Sequence, residues 1–275
     1  MFSIKNRAEE MEKAVEFKDD SSEFDALLIK VRQVCGIDLE TKRMSVRPKI
    51  VKFCKSNGLK NYSELTSKMD LNLPIRQDFF DLITVCETYF YREIKQLKEL
   101  INILRMEPDK RRILCAPCSS GEEVYSIIML ASEAGISDVH VTGIDINAEI
   151  IKKAKEGKYS QRSLYNLNDA LIRKYFTKEN DEYLIKKQFF KNTRFDIVNV
   201  FDRKFFDLGK FDIILSRNMM IYFNEEYKYK LVDNFSKSLK DGGMFFAGHA
   251  DLVPFHQDLK KIYTNSCTYY IKDNN

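Results

Sequence analysis

Phe24, Leu27, Leu28, Val31, Val34 and Cys35 recur at helical spacing. They predict an amphipathic helix with Ser21 or Ser22 as N-cap and Gly36 past its end. Residues 1–20 before it are polar and weakly periodic, which predicts a helix or a loose arm. Val46, Ile50, Val51, Phe53 and Cys54 form the next apolar stripe, and Pro48 within it predicts either a helix start near Arg47 or a kink. Short helices are expected from Tyr62 and around Phe79–Val85, with Leu73-Pro74 breaking the pattern between them. A strongly amphipathic helix follows, carried by Ile94, Leu97, Leu100, Ile101 and Leu104.

From Ile113 the pattern changes. Continuous apolar runs at 113–116, 139–144 and Phe211–Ser216 read as strands of a parallel sheet, buried on both faces. Amphipathic segments at 122–134, 147–156 and 225–239 alternate with them, the last stopped by Asp241-Gly242-Gly243. A polar helical stretch spans Asn168–Phe176. Tyr183–Phe190 and Phe195–Val200 read as a hairpin or small β insertion followed by a sheet strand. Strand Met244–Gly248 and two β segments near 260–272 close the chain, adding antiparallel character at one edge. The expected class is α/β: a doubly wound, mainly parallel sheet behind a small all-helical domain. The expected division is a helical domain with its linker helix over 1–105 and the α/β domain over 106–275, with a β insertion at 183–195.

One stretch carries candidate chemistry. Arg112–Cys115 is followed by the small-residue loop Ala116–Gly121 and then by Glu122 and Glu123 at a helix start. The next strand ends at Asp145. Strand, small loop, helix, strand and acid is the layout of a nucleoside-binding unit whose acid holds ribose hydroxyls. An ordinary βαβ unit has the same outline, and the loop carries one glycine, Gly121, rather than a G-x-G-x-x-G run.

Composition narrows the class without deciding it. Hydrophobic residues make up 44% and charged residues 31%, so the chain suits a folded globular protein rather than a disordered one. No apolar run approaches a membrane span, and the charged start MFSIKNRAEEMEK does not resemble a signal peptide. A cytoplasmic location without membrane insertion is therefore expected. The six cysteines lie mostly in apolar runs and predict buried thiols, the C-x-x-C at Cys115–Cys118 included. No metal site is expected from that pair and three histidines. Between Thr41 and Ser63 stand seven basic residues (Lys42, Arg43, Arg47, Lys49, Lys52, Lys55, Lys60) and no acid. A single-sign face suggests an acidic partner. Without stacking aromatics or a nucleic-acid motif, an acidic protein surface is expected ahead of nucleic acid.

Five segments, CETYFYRE, CSSGEEVYSIIML, IDINAEIIKKAKEGKYS, FDIILSRNMMIYFN and DGGMFFAGH, stand in order at fitting distances. Together with GIDLETKRMSVRPKI they resemble the CheR-type glutamate methyltransferases of chemotaxis receptors, over roughly residues 24–272. The resemblance implies an S-adenosylmethionine-dependent methyltransferase fold with a helical N-terminal domain and an inserted β-subdomain. It implies S-adenosylmethionine as cofactor, S-adenosylhomocysteine as product, and glutamates on cytoplasmic receptor helices as substrate. Residue by residue, it places Thr88 and Arg92 at the methionine end of the cofactor and Glu122 at its α-amino group. Asp145 falls at the ribose, Asn199 and Val200 beside the adenine, and Arg217 and Asn218 at the pair after the fourth strand. Tyr222 matches the tyrosine of the family's M-I-Y-F run. Lys42, Arg43, Lys49, Lys52 and Lys55 are implied as the receptor-facing basic set, and 183–195 as a contact for a receptor tail peptide. Three departures stand out: Cys86 replaces the usual Asn, Ala250-Asp251-Leu252 replaces the common Ser-Glu-Asn, and Pro48 lies within the basic helix.

The chemistry is consistent with the absence of a Ser-His-Asp or Cys-His set. A glutamate carboxylate, with a pKa of about 4.3, is already ionised at neutral pH and needs no general base. Alignment of oxygen, methyl and sulfur remains, and Arg92 and Tyr222 are the expected orienting groups. The alternatives are a non-catalytic, receptor-docking adaptor of the same fold and a methyltransferase for nucleic acid or small molecules.

Overall fold

The computed structural model describes residues 17–71 and 74–273. Most of the predicted arm over residues 1–20, and Leu73 of the predicted break, lie outside the described residues. Two compact units meet in sequence between Ile83 and Thr84.

The first unit is helical. Helix α1 (Ser21–Cys35) is capped by Asp20 rather than by either serine: its carboxylate accepts the Ser22 and Glu23 amides at 2.9 and 3.2 Å. Helix α2 (Arg43–Ser56) begins earlier than expected and runs through Pro48, which has no N–H to give to the Met44 carbonyl. Helices α3 (Tyr62–Asp70) and α4 (Pro74–Ile83) complete the unit. Phe24, Leu27, Tyr62 and Phe79 are fully buried in it.

Arg43 and Arg47 are drawn inward. Arg43 pairs with Asp25 and Glu40, Arg47 pairs with Asp19 at 2.8 Å, and both guanidinium groups lie over the Phe24 ring. Arg43 thus has acidic partners within its own unit, while its side chain stays partly exposed. Lys42, Lys49, Lys52 and Lys55 are exposed.

The second unit starts with the segment 84–93 and helix α5 (Ile94–Met106). Leu97, Leu100, Ile101 and Leu104 share a core cluster with Ile113 and Cys115. Residues 84–105 therefore pack with the sheet and not with the helical domain to which they were assigned above. Strand β1 (Arg112–Cys115), helix α6 (Glu122–Glu133), strand β2 (His140–Asp145) and helix α7 (Ala148–Glu156) follow. Strand β3 (Lys158–Ser160), helix α8 (Asp169–Tyr175), strand β4 (Phe176–Glu179) and strand β5 (Glu182–Ile185) come next. Strand β6 (Thr193–Ile197), strand β7 (Phe211–Ser216), helix α9 (Glu225–Ser238), strand β8 (Leu239–Ala247) and the hairpin β9 (Leu259–Tyr263) and β10 (Thr268–Lys272) finish it.

The main sheet has seven strands in the order β6-β2-β1-β7-β8-β10-β9. The first five are mutually parallel, and β10 is antiparallel to both β8 and β9. The expected doubly wound sheet with an antiparallel edge is present. Chain order reverses at β1, whose neighbours are β2 and β7, and open sheets of this kind bind ligands at such a switch point, outside the carboxyl ends of the strands. The predicted stop at Asp241-Gly242-Gly243 is instead part of β8, beside a register irregularity.

The insertion differs from the expected 183–195. A separate sheet of order β3-β5-β4 spans 158–185, whereas β6 is an edge strand of the main sheet. Its outer strands are short and largely polar, so they carry little apolar pattern. Gly157, at φ +69°, makes the junction: a Cβ there would meet Ile185 at 2.4 Å, and its carbonyl accepts the Ile185 amide. Phe90, Tyr159 and Phe176 stack edge-to-face and bind this small sheet to the segment that precedes α5.

Candidate active site

The loop 116–121 lies at the carboxyl end of β1 and is tied to both neighbours. Ala116 donates its amide to the Leu215 carbonyl on β7, and Cys118 donates its own to Ile144 on β2. Gly143 is glycine because a Cβ there would sit 2.9 Å from the Cys118 side chain. Cys115 and Cys118 are free, buried thiols, and burial pushes both well above the ordinary range. Inert packing groups, as expected, fit this better than a redox pair. Tyr159 supports the loop from below, its hydroxyl donating to the Ser120 carbonyl at 2.7 Å.

Ser119, at φ +48°, donates its amide to Asp145 Oδ2, and Asn147 donates to Asp145 Oδ1, each at 3.0 Å. Two backbone donors thus orient the acid at the end of β2. Glu122, 2% exposed, accepts the Ser120 hydroxyl at 2.7 Å. No ion pair is found for it among the described residues, and burial pushes its carboxyl above the usual range. The Ser119 hydroxyl is also buried, with no hydrogen-bond partner among the described residues.

The segment 84–93 docks on α6. Tyr91 donates its amide to Ser126 Oγ, and Ser126 donates its hydroxyl to the Glu122 carbonyl. Thr88 is half-buried here. Arg92 donates from Nη1 to the Glu87 carbonyl at 2.8 Å and lies over the Tyr89 ring. Tyr222 sits in a single 3₁₀ turn, Met220–Tyr222. Burial raises its pKa, and the charge of Arg92 opposes that rise. Cys86, at the departure from the usual Asn, acts on the same hydroxyl.

Asn199 and Val200 are buried just past β6, in a turn where Asn199 Oδ1 accepts the Phe201 amide. The Val200 carbonyl accepts from Asn234 on α9. Arg217 follows β7 and is almost wholly enclosed: Nη1 pairs with Glu123 at 2.6 Å, and Nη2 reaches Glu93 at 3.3 Å and the Arg92 carbonyl at 2.7 Å. Its guanidinium therefore braces the Arg92–Glu93 backbone. Asn218, at φ +58°, donates its side-chain amide to Glu93 at 3.4 Å. Tyr91, Glu93, Ser119 and Asn218 all hold left-handed backbone, a concentration of strain typical of functional loops. Glu93 and Ser126 escaped the sequence reading, while Glu123 entered it only as a helix-start acid and Asp251 only as part of a departure from the family pattern. For Asp251 a signal existed, an acid three residues past Gly248.

A family model described as the CheR methyltransferase SAM-binding domain matches residues 86–270. The chain belongs to the CheR methyltransferase family. A chemotaxis protein methyltransferase of Campylobacter jejuni is 43% identical over 243 residues, covering 88% of this chain and 93% of that protein. Relatives of the same description occur in Borreliella burgdorferi, at 31% identity over 82% of this chain and 87% of that one, and in Vibrio cholerae, at 36% over 64% and 65%. The activity is S-adenosylmethionine-dependent methyl transfer. The residues present fit that cofactor on two observations. A buried carboxylate without an ion pair, Glu122, suits an ammonium group, and the buried Ser119 hydroxyl without a partner suits a polar ligand atom. No helix among the described residues is long and apolar enough to cross a membrane.

Proposed function

We propose that the methyl group passes to glutamate side chains on the cytoplasmic helices of chemotaxis receptors, aligned by Arg92 and Tyr222. The observation that carries this is the bond from Arg217, at the start of the turn that leads to Tyr222, to the Arg92 carbonyl, which ties the backbone of the two orienting residues together; the charge of Arg92 also opposes the burial-driven rise of the Tyr222 hydroxyl. Glu122 holds the cofactor's ammonium group, Asp145 the ribose hydroxyls, and Asn199 and Val200 flank the adenine. Thr88 and Arg92 meet the methionine end, and Asn218 completes the set. Arg217 serves from behind, as the brace of Arg92. S-adenosylmethionine, when bound, supplies an electrophilic methyl on a sulfonium sulfur. Arg92 and the Tyr222 hydroxyl hold the ionised carboxylate with one oxygen forward, and no proton is moved. An adaptor without catalysis has no observation in its favour. The test is transfer of labelled methyl to receptor cytoplasmic fragments, followed by mild base. Label released as methanol supports a glutamate ester; base-stable label overturns it.

Glu122 gives a prediction with opposite signs in two measurements. Its raised pKa means that ionisation in the ligand-free fold costs stability. That cost appears as pH rises past the ordinary carboxylate value and is complete above the raised one. Glu122→Gln should therefore raise the melting temperature of the ligand-free protein at neutral pH, by about 2–4 °C. The same change should weaken S-adenosylmethionine binding by about 10- to 100-fold, because a charge-assisted hydrogen bond contributes about 1.5–3 kcal/mol. For the unaltered protein, affinity should fall as pH drops through the raised value, since pairing with an ammonium needs the carboxylate ionised. Calorimetry across that range checks the sign.

Lys49, Lys52 and Lys55 on α2, with Lys42 in the turn just before it, present one charge sign outward, matched to glutamate-rich receptor segments. Changing Lys49, Lys52 and Lys55 together to glutamate should slow receptor methylation by about tenfold or more at low salt, with the deficit shrinking as salt is added. Cofactor affinity should not change; an unaltered methylation rate would show a merely solvated face. A receptor tail peptide adding as a strand to the small sheet would use β3 or β4, because β5 is already paired on both sides.

A further inference from the structure

We infer that Asp251 is a positioning residue for methyl transfer, setting the turn that presents Tyr222. The inference rests on the reading that Tyr222 orients the acceptor carboxylate. Asp251 follows β8, whereas Tyr222 follows β7, so the link is made across two strand ends. Asp251 Oδ1 accepts the Met220 amide at 2.9 Å. Oδ2 accepts the Asn218 amide and, at 2.9 Å, the Gly248 amide. The Ile221 amide acts on the same carboxylate. The side chain is buried, and no ion pair is found for it among the described residues. Burial pushes its carboxyl above the ordinary value and backbone amides oppose that rise; those of Asn218, Met220 and Ile221 belong to the Arg217–Tyr222 turn, and the fourth is that of Gly248 after β8.

The packing leaves the turn little freedom. A Cβ at Gly248 would lie 2.6 Å from the Asn218 nitrogen and 2.7 Å from Asp251 Oδ2, so the three groups form one close-fitting unit. Asn218 needs such a unit, because its left-handed backbone is unfavourable unless the surroundings impose it. On the other side Arg217 is held by Glu123 and Glu93. The turn is thus fixed at its start by a buried cation and along its length by a buried anion. Glu122 and Asp145 lie beyond β1 and β2, where Asp145 is held by the Ser119 and Asn147 amides and Glu122 by the Ser120 hydroxyl. Loosening the turn should therefore move Tyr222, and Asn218 with it, while Glu122 and Asp145, the two acids proposed to carry most of the cofactor binding, keep their places.

Asp251→Asn keeps the size and turns an NH₂ toward amide donors that need an acceptor. The expected result is a kcat lowered by about 10- to 100-fold, with the Kd for S-adenosylmethionine within about threefold of the unaltered protein. Asp251→Glu keeps the charge and should recover at least about a third of the loss on a logarithmic scale. Tyr222→Phe and the double variant Asp251→Asn/Tyr222→Phe complete a cycle. If Asp251 acts through Tyr222, its replacement costs less in the phenylalanine background than alone. Additive losses with an effective Tyr222→Phe would overturn the Asp251 inference and leave the Tyr222 reading standing. An ineffective Tyr222→Phe would overturn both. A Kd that weakens in step with kcat would reduce Asp251 to a general packing role.

Discussion

Replacing Asp145 with alanine weakens S-adenosylmethionine binding by about 100-fold or more, the sum expected from two charge-assisted hydrogen bonds of about 1.5–3 kcal/mol each. The geometry sets this acid apart from an ordinary strand-end carboxylate. It is 6% exposed, and the amides of Ser119 and Asn147 fix both oxygens in direction before any ligand arrives. An acceptor already oriented loses little freedom on binding, so most of its interaction energy appears as affinity. Alanine also releases the Ser119 amide, and with it the left-handed residue of the loop. These two contributions can be separated. A cofactor analogue lacking the ribose hydroxyls should bind the unaltered protein weakly and lose little further affinity on Asp145→Ala. Equal losses for cofactor and analogue would assign the whole effect to the loop and refute the ribose role. Calorimetry measures all four combinations.

Asp145 was legible in the sequence because its signal is local. A buried parallel strand is a continuous apolar run, and an acid directly after one stands out. The same holds for the small-residue loop and for Glu122. The brace and the clamp were hidden for the opposite reason. Arg217 meets Glu123 across 94 residues and Glu93 across more, and Asp251 reaches the Asn218 and Met220 amides from 33 and 31 residues away. Such pairings are set by strand order, which no local pattern states. The basic segment shows the limit from the other direction. It holds no acid of its own, yet the fold supplies Asp19 to Arg47 and Asp25 to Arg43. A run of one charge sign in sequence therefore overstated the single-sign face. The small sheet was missed in extent because its outer strands bury little on one side and are too short to show an alternation.

Removing the Arg92 side chain is expected to lower kcat by about 100-fold while the Kd for S-adenosylmethionine changes by less than about tenfold. The side chain gives the backbone here one bond, to the Glu87 carbonyl, and two others hold it independently. Arg217 holds the Arg92 carbonyl at 2.7 Å, and Ser126 holds the Tyr91 amide at 3.1 Å. Arg92→Ala therefore takes away the guanidinium and its bond to Glu87, while the Arg217 and Ser126 contacts to the backbone stay in place. What the guanidinium contributes is direction. A methyl transfer needs oxygen, carbon and sulfur in line, and a planar fork can hold one carboxylate oxygen back while the other faces forward. Lysine, a point charge on a flexible stem, should recover little of the rate. The sign of the electrostatics makes this test sharp. The carboxylate loses its charge as the ester forms, so simple attraction to Arg92 favours the ground state over the transition state. If attraction were the whole contribution, alanine would raise the KM for receptor and leave kcat unchanged or higher. A fall in kcat with a modest change in KM is the outcome that only alignment explains, and steady-state kinetics on receptor fragments distinguishes the two.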